Sequence, residues 1–418
     1  MRVLIDMVGC RLNQAEIDGM ARELNRRGHK IITEPEQADA VIVNTCCVTA
    51  KAAADSRKMI RRYQNLTNAK IIPTGCWATA FADEAVQLVG PEAVVSNFEK
   101  DRLVEAFFPT ENTECELPAP RLGKRQRTRA FVKVQDGCDN RCAYCLTQIA
   151  RGPSRSRGSS VIADEVNLLS QMGYREIILT GVQLGSWGKE LGNLRLSNLV
   201  SELLVKTEIP RIRLSSLEPW DFSDELIEVL KDDRICNHFH IPMQTGSPTV
   251  LKRMNRPSSP EFYRVLAAKL LEAKGSVGIT TDIIVGFPGE TEYEFEETMQ
   301  LIKDLPLTGG HVFQFSPMKG TVAAGMNSQI KSGILKERSR ELICLFQQKT
   351  NMYLQTKLGT AASVLWEGSR KIAGENWLSG LSTDNLRVAV PFRPGLKNSI
   401  SNVMLQSFLT DNVLLGTL

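Results

Sequence analysis

Val134-Gln135-Asp136-Gly137-Cys138-Asp139-Asn140-Arg141-Cys142-Ala143-Tyr144-Cys145 sets three cysteines at the spacing C-x3-C-x2-C. A structural zinc site wants four ligands, and no fourth Cys or His follows nearby. Three thiolates instead suit a 4Fe–4S cubane in which one iron lacks a protein ligand. That iron can take a chelating ligand from outside the chain. The stretch follows an apolar run, Phe131–Val134, so the cysteines are expected on a loop at the carboxyl end of a strand.

Around it lie 418 residues, enough for two or three domains with full cores. Hydrophobic content of 42% and charged content of 23% are those of an ordinary soluble globular chain. No apolar run approaches the roughly 20 residues of a membrane span, so no membrane partner is expected. Ten cysteines without a secretory leader point to a reducing, cytoplasmic setting and to metal or redox roles. The net charge of +4 permits a nucleic-acid partner without demanding one. The charge is uneven. Arg121, Lys124, Arg125, Arg127, Arg129, Lys133, Arg141, Arg151, Arg155 and Arg157 are opposed only by Asp136 and Asp139. Such a block fits either a phosphate-binding rim or a solvated linker and helix face.

Upstream, residues 1–108 alternate strand and helix patterns: strands at Val3–Met7, Ala40–Asn44, Lys70–Pro73 and Ala93–Ser96, helices at Asn13–Arg27, Ala50–Asn65 and Ala78–Leu88. Alternation of this kind predicts a doubly wound parallel sheet. Cys10, Cys46 and Cys76 each stand just past a strand, where such sheets gather their ligands. Their convergence would make a second cluster site, again with one iron free. Cys47 points differently from Cys46 and is read as a non-ligand. Cys115, Cys236 and Cys344 lack partners at ligand spacing and are read as core or surface thiols.

Residues 109–128, with three prolines among mixed charges, are a linker. From 129 to 355, strands at Phe131–Val134, Glu176–Thr180, Arg211–Leu214, His238–Ile241, Thr280–Val285 and His311–Phe315 alternate with helices. They predict a partial (β/α)6 barrel whose polar motifs sit at the strands' carboxyl ends. Gly181 would let backbone carbonyls meet a ligand's amino group, and Ser215 and Glu218 offer partners for a ribose. His240, Gln244, Asp282, Gly286–Glu290 and His311 lie at equivalent places; each is weak alone, and a lone histidine is more often a satisfied core residue. Residues 356–418 show short strands (362–366, 377–381, 386–390, 403–408, with 413–415 a possible fifth) and predict a small OB-like β-barrel. Arg370, Lys371, Arg387, Arg393 and Lys397 give it a basic character suited to RNA, the plainer reading being a structural cap.

Taken together, the chain resembles the methylthiotransferase family of radical S-adenosylmethionine (SAM) enzymes over nearly its whole length. The resemblance rests on Gly9-Cys10-x-x-Asn13, Asn44-Thr45-Cys46 and Gly75-Cys76, on the 137–145 motif with Arg151-Gly152 and Arg155-Ser156-Arg157, on His240-Ile-Pro-Met-Gln244, on Leu251-x-x-Met254-x-Arg256, and on Asp282 with Gly286–Glu290. The C-terminal module looks like that family's TRAM domain. The resemblance implies that Cys138, Cys142 and Cys145 hold the cluster that reduces SAM, and that Cys10, Cys46 and Cys76 hold an auxiliary 4Fe–4S cluster carrying the sulfur, methylated by a second SAM. Tyr144, Gly181, Ser215, Glu218 and Gln244 would contact SAM. No side chain stands out as an acid or base, because a C–H bond without acidity is opened by cofactor chemistry.

Family branches act on adenosine 37 of tRNA carrying a threonylcarbamoyl or an isopentenyl group, or on a ribosomal-protein aspartate. Val-Gln-Asp-Gly-Cys-Asp before the SAM triad, with Asn-Thr-Cys and Val-Thr-Ala in the first domain, resembles the threonylcarbamoyladenosine branch. Implied partners are the tRNA anticodon stem-loop, SAM, an electron donor and a sulfur source. Two competing classes stay open: an iron–sulfur electron carrier, which would not bind SAM, and an RNA-binding module with structural zinc.

Overall fold

The computed structural model describes residues 1–110, 128–192, 194–372 and 374–418. The expected linker and Cys115 lie almost wholly outside these residues.

The first 108 residues build one parallel sheet from β1 (Arg2–Met7), β2 (Lys30–Ile32), β3 (Ala40–Thr45) and β4 (Lys70–Gly75), in the order β2-β1-β3-β4. β3 is buried at all six positions because both faces are covered. Val41 and Val43 pack with Ile60 and Trp77 on one side; Ala40 and Ile42 pack with Leu24 and Phe108 on the other. A strand covered on both faces reads as a continuous apolar run, as this one does. The chain steps from β1 outward to β2, then back to β3 on β1's other edge. The topological switch point therefore lies between β1 and β3, where doubly wound sheets open a crevice at their carboxyl ends.

Three local expectations need correction. Ala93–Ser96 is not a strand: Pro91–Ala93 forms a 3-10 turn after Gly90, and the extended residues that follow join no ladder. The single helix expected at Ala78–Leu88 is two, Cys76–Ala80 and Ala82–Val89, broken at Phe81. The edge strand β2 was not anticipated, its three residues being too short for a periodic signal.

The middle of the chain forms two three-stranded parallel sheets. One runs β5-β8-β9, from β5 (Arg129–Lys133), β8 (Glu176–Thr180) and β9 (Arg211–Leu214). The other runs β10-β11-β12, from β10 (His238–His240), β11 (Gly278–Val285) and β12 (Gly309–Gln314). Parallel bridges Ile212–Ile235 and Ser216–His240 join them into one curved, six-stranded partial barrel. A two-stranded ribbon, β6 (Gln135–Asp136) with β7 (Arg155–Ser156), brackets the C-x3-C-x2-C loop. Along β11, Thr281, Ile283 and Val285 are buried, whereas Thr280, Asp282 and Ile284 keep partial exposure toward the lumen.

Residues 361–417 close into a five-stranded barrel, β13 (Ala361–Ile372), β14 (Glu375–Ser382), β15 (Arg387–Pro391), β16 (Ile400–Thr410) and β17 (Val413–Thr417), ordered β13-β14-β15-β17-β16. Trp366, Leu378, Val388, Val403 and Leu405 fill it. It docks by its 381–384 turn at the amino ends of the central strands. Arg213 donates to the carbonyls of Ser382 and Thr383, both at 3.1 Å, and Arg211 donates to that of Leu381 at 3.2 Å. The small barrel thus plugs the lumen from below while Arg370, Lys371, Arg393 and Lys397 stay exposed. Among the described residues no helix is long and apolar enough to cross a membrane.

Candidate functional site

Each cysteine of the first triad follows a strand end directly. Cys10 is the N-cap of helix Arg11–Arg26, Cys46 follows β3, and Cys76 opens the helix after β4. Cys10 and Cys46 flank the switch point, and Gly9 shows how closely. It has φ of +128°, and a Cβ there would lie 2.7 Å from Cys46 Cβ and 3.0 Å from its sulfur. Only glycine lets the two loops approach this far. Asn13 fastens them: its Nδ2 donates to Val8 O at 2.8 Å and to Thr45 O at 3.1 Å. Cys76 joins from the other side, its sulfur receiving Arg151 Nε at 3.1 Å and Asn97 Nδ2 at 3.7 Å. Cys47 points into the apolar core beneath.

The second triad lies on the loop after β6. Gly137 has φ of +72°, and a Cβ there would sit 1.9 Å from Pro153 O, so the loop closes tightly on the 152–153 turn. Cys138 N–H donates to Gly152 O at 3.0 Å, and Ala143 N–H to Met254 O at 2.9 Å. Cys145 sulfur accepts from Thr147 N–H at 3.3 Å and lies 2.9 Å from Thr147 Oγ1. Burial pushes the thiols of Cys46 and Cys138 up to about 12. Groups so reluctant to ionise alone become thiolates when a metal takes the charge, so loading and deprotonation are coupled here.

One buried ionic network ties the triads together. Arg151 is 2% exposed and spans both domains. Its guanidinium reaches Asp136 Oδ1 at 2.8 Å, Glu16 Oε1 at 2.9 Å, Asn13 Oδ1 at 3.0 Å and Cys76 sulfur. Lys100 Nζ lies 2.8 Å from Glu16, and Lys133 Nζ 2.7 Å from Asp136. Desolvation would raise both carboxyls, but the three cations overcome it and hold Glu16 and Asp136 below the ordinary carboxylate range. The Arg151 guanidinium itself lies against the Cys76 sulfur, a positive charge suited to a cluster with anionic ligands. Helix Thr147–Arg151 packs on helix Cys76–Ala80, and Leu146 and Ala150 share a core with Trp77. Cys145 is six residues from Arg151, about 9 Å at a helical rise of 1.5 Å per residue. The charge of Cys76 reaches Cys145 across this interface.

This geometry corrects the expected basic rim. Lys133 and Arg151 are internal ion-pair partners; Arg129 pairs with Glu367 at 2.9 Å and Arg157 with Glu165 at 2.7 Å. Arg121, Lys124, Arg125 and Arg127 lie outside the described residues. In the small barrel Arg387 is paired with Glu367 at 3.1 Å.

Of the residues expected to contact SAM, Glu218 and Tyr144 come together through Arg256. Glu218 forms an ion pair with Arg256, whose Nη1 lies 3.4 Å from Tyr144 Oη and 4.0 Å from Cys142 sulfur. Arg256 also stacks 5.0 Å over Trp220. Ser215 is 6% exposed and its hydroxyl has no partner among the described residues, an orphan donor that a ligand there would satisfy. Gln244 adopts φ of +68°, its N–H donating to Asp282 O at 2.7 Å, and its side chain stays half-buried. At Gly181 a Cβ would lie 2.8 Å from Gln135 Oε1 and 3.0 Å from Leu184 Cα, so packing also requires glycine there. The donor set therefore fits a cluster at Cys138, Cys142 and Cys145 with a polar ligand beside it. Sequence reasoning missed Glu16, Lys100, Asp136 and Arg256 as parts of the site. Arg256, two residues past Met254 in the Leu251-x-x-Met254-x-Arg256 pattern, and Asp136, beside the second triad in sequence, carried a local signal.

A further cluster lines the lumen. Asp282 accepts from His240 Nε2 and His311 Nδ1, each at 3.1 Å. His240 Nδ1 meets Thr280 Oγ1 at 3.0 Å, and Thr280 Oγ1 meets His238 Nε2 at 3.0 Å. Neither histidine is the solitary core residue the sequence suggested.

A cavity of about 810 Å³ lies elsewhere, between helix Arg11–Arg26 and helix Ser159–Gln171. It touches Glu16, Lys133 and Asp136 from behind but none of the cysteines, and so is not where the six thiols point.

Comparison with known proteins agrees with this arrangement. Residues 132–302 match the radical SAM superfamily, and residues 2–96 match a family described as uncharacterized protein family UPF0004. A threonylcarbamoyladenosine tRNA methylthiotransferase MtaB from Bacillus subtilis is 34% identical over 405 residues, covering 92% of this chain and 89% of the relative. Its Thermotoga maritima namesake is 34% identical, covering 87% and 86%. A tRNA-2-methylthio-N(6)-dimethylallyladenosine synthase from Bartonella quintana is 30% identical, covering 90% and 88%. Among solved structures, the radical SAM methyltransferase TsrM from Kitasatospora setae shares the fold with a TM-score of 0.56 at 16% identity, covering 75% of this chain and 72% of that one. The chain belongs to the methylthiotransferase family of radical SAM enzymes.

Proposed function

We propose that this enzyme adds a methylthio group to C2 of N6-threonylcarbamoyladenosine at position 37 of tRNA, using two 4Fe–4S clusters and two molecules of SAM. The observation that carries this reading is the presence of two separate cysteine triads on two domains that the buried Arg151 network holds together. An enzyme that only cleaved SAM would have no use for the first triad. The choice of threonylcarbamoyl over isopentenyl is supported by the Bacillus subtilis and Thermotoga maritima relatives. In this reading residues 1–108 hold the auxiliary cluster, 129–355 cleave SAM, and 356–418, joined through the 109–128 linker, bind RNA as a TRAM domain. An electron donor and a sulfur source complete the reaction, in the cytoplasm where tRNA is modified.

When bound, the clusters and SAM supply the electron, the radical and the sulfur; the protein's own part is placement. Cys138, Cys142 and Cys145 fix one cluster, with Thr147 N–H donating to a ligand sulfur, a contact that tunes cluster potential. Glu218, Ser215, Gln244 and the Tyr144 segment hold SAM against it. Arg256 orients Glu218 and carries positive charge to the cluster's edge. Cys10, Cys46 and Cys76 hold the sulfur-bearing cluster across the interface, with Arg151 steadying Cys76. Adenosine 37 enters from an anticodon loop, where an unstacked base can be splayed into the site.

The test is a turnover assay on anaerobically reconstituted protein, with tRNA carrying threonylcarbamoyladenosine 37 and mass spectrometry of the nucleosides. A mass gain of one methylthio group on that nucleoside, with close to eight irons per chain, is expected. Modification of isopentenyladenosine alone, or only about four irons at full activity, would overturn the reading.

A further inference from the structure

Arg11 directly follows Cys10 and is exposed at the start of its helix. Among the described residues its guanidinium makes no hydrogen bond and no ion pair. The charges it feels across the crevice belong to Arg129, Arg213, Glu176 and Asp282. None of the carboxylates is available to it. Glu176 is shared by Arg213 at 2.7 Å, Arg211 at 3.7 Å and Arg129 at 3.9 Å. Asp282 is occupied by His240 and His311. Arg11 is therefore an unneutralised cation above the lumen floor.

His311 lies across the crevice, near enough that the Arg11 charge acts on its imidazole. Its side chain is 71% exposed, and its Nδ1–H is committed to Asp282, which leaves Nε2 facing the crevice. The string His238–Thr280–His240–Asp282 fixes that orientation from behind. Asp282, first through its hydrogen bond, holds the His311 imidazolium form above its ordinary range. The donor atoms of His240, Asp282 and His311 lie within 4.8 Å of one another, a spacing a metal ion could use. The surrounding guanidiniums oppose a divalent cation there and favour an anion.

We propose that Arg11 and His311 form an anion subsite that receives the carboxylate of the amino-acid substituent on the target adenosine. Arg11 comes from the auxiliary-cluster domain and His311 from the barrel, so the substituent is gripped where the two domains face each other. A threonylcarbamoyl group brings a carboxylate to this pair, whereas a prenyl group brings only methyls and would leave Arg11 unpaired. Substrate choice then lies in charge neutralisation, and not only in pocket shape. This inference rests on the threonylcarbamoyl reading above.

The experiment measures kcat/KM of the holoenzyme on tRNA carrying threonylcarbamoyladenosine 37 as free acid and as methyl ester. Hydrogen bonds to charged groups predict that esterification costs the native enzyme roughly 10- to 100-fold. Arg11→Gln should lose a similar factor on the acid and show little further loss on the ester. His311→Ala should lose part of the same discrimination. Equal turnover of acid and ester by the native enzyme, or full discrimination retained in both variants, overturns the subsite while leaving the proposed substrate standing. Native enzyme inactive on both but active on isopentenyladenosine overturns the substrate reading and the subsite with it.

Discussion

Replacing Arg151 with methionine keeps the stem and removes every donor. In the native protein the guanidinium contacts Asp136, Glu16, Asn13 and the Cys76 sulfur at 2.8–3.1 Å, buried from water. The loss is not that of a bare buried charge. Glu16 keeps Lys100 at 2.8 Å and Asp136 keeps Lys133 at 2.7 Å, so two carboxylates still face two ammoniums. What goes is two charge-assisted hydrogen bonds, each worth roughly 1.5–3 kcal/mol, and an orphaned Asn13 oxygen at roughly 1–3 kcal/mol, together about 4–9 kcal/mol. The loss falls on the contact between the first domain and the barrel, so the chain should unfold in two steps instead of one. At about 4–8 °C per kcal/mol for a domain near 100 residues, the first step should drop by 10 °C or more in a calorimetric scan. Acid adds a sign. Glu16 and Asp136 are held below their unfolded values, so their stabilisation is full above about pH 4 and fades as pH falls through the depressed folded values. The native first transition should therefore fall below pH 4, and less steeply in Arg151→Met. An Arg151→Met protein whose transitions stay within about 2 °C of native would refute the claim that this guanidinium binds the two domains together.

Two other outcomes follow from the same geometry. Cys10→Ala, Cys46→Ala or Cys76→Ala should abolish methylthio transfer yet leave 5′-deoxyadenosine formation from SAM measurable by chromatography, because the second triad is anchored by its own loop; loss of SAM cleavage in all three, with the other cluster spectroscopically intact, would contradict the division of roles. Burial raises the Asp221 carboxyl to about 7 against the opposing Lys189, and one of its oxygens has no partner. The folded chain then holds a proton that the unfolded chain releases near pH 4, so stability falls as pH rises from about 4 to 7. Asp221→Asn should flatten that slope in denaturant titrations and gain roughly 2–4 kcal/mol at pH 8; an unchanged slope would count against a buried, protonated Asp221.

The sequence by itself carried the layered architecture and the two cysteine triads proposed as cluster ligands. Cysteines at C-x3-C-x2-C carry their meaning in local spacing, since a short loop cannot separate them. Cys10, Cys46 and Cys76 were legible as a set because a parallel sheet delivers its strand ends to one edge, and the strands themselves were written in runs such as Ala40–Val43. Ala93–Ser96 misled because extended backbone is not a ladder, and β2 escaped because three residues make no period. The partners of charged side chains were decided only by the tertiary structure. Arg151 and Lys133 looked like an RNA-facing rim and proved to be interior, because Glu16 and Lys100 arrive from distant segments to meet them. In the same way His240, Asp282 and His311, scattered over seventy residues, become neighbours only when adjacent strands pair. Arg11 is left over as an unmatched charge only once every carboxylate around it has found another partner. Backbone pattern is local and can be read along the chain, whereas electrostatic pairing depends on which segments pack, and packing is settled only in three dimensions.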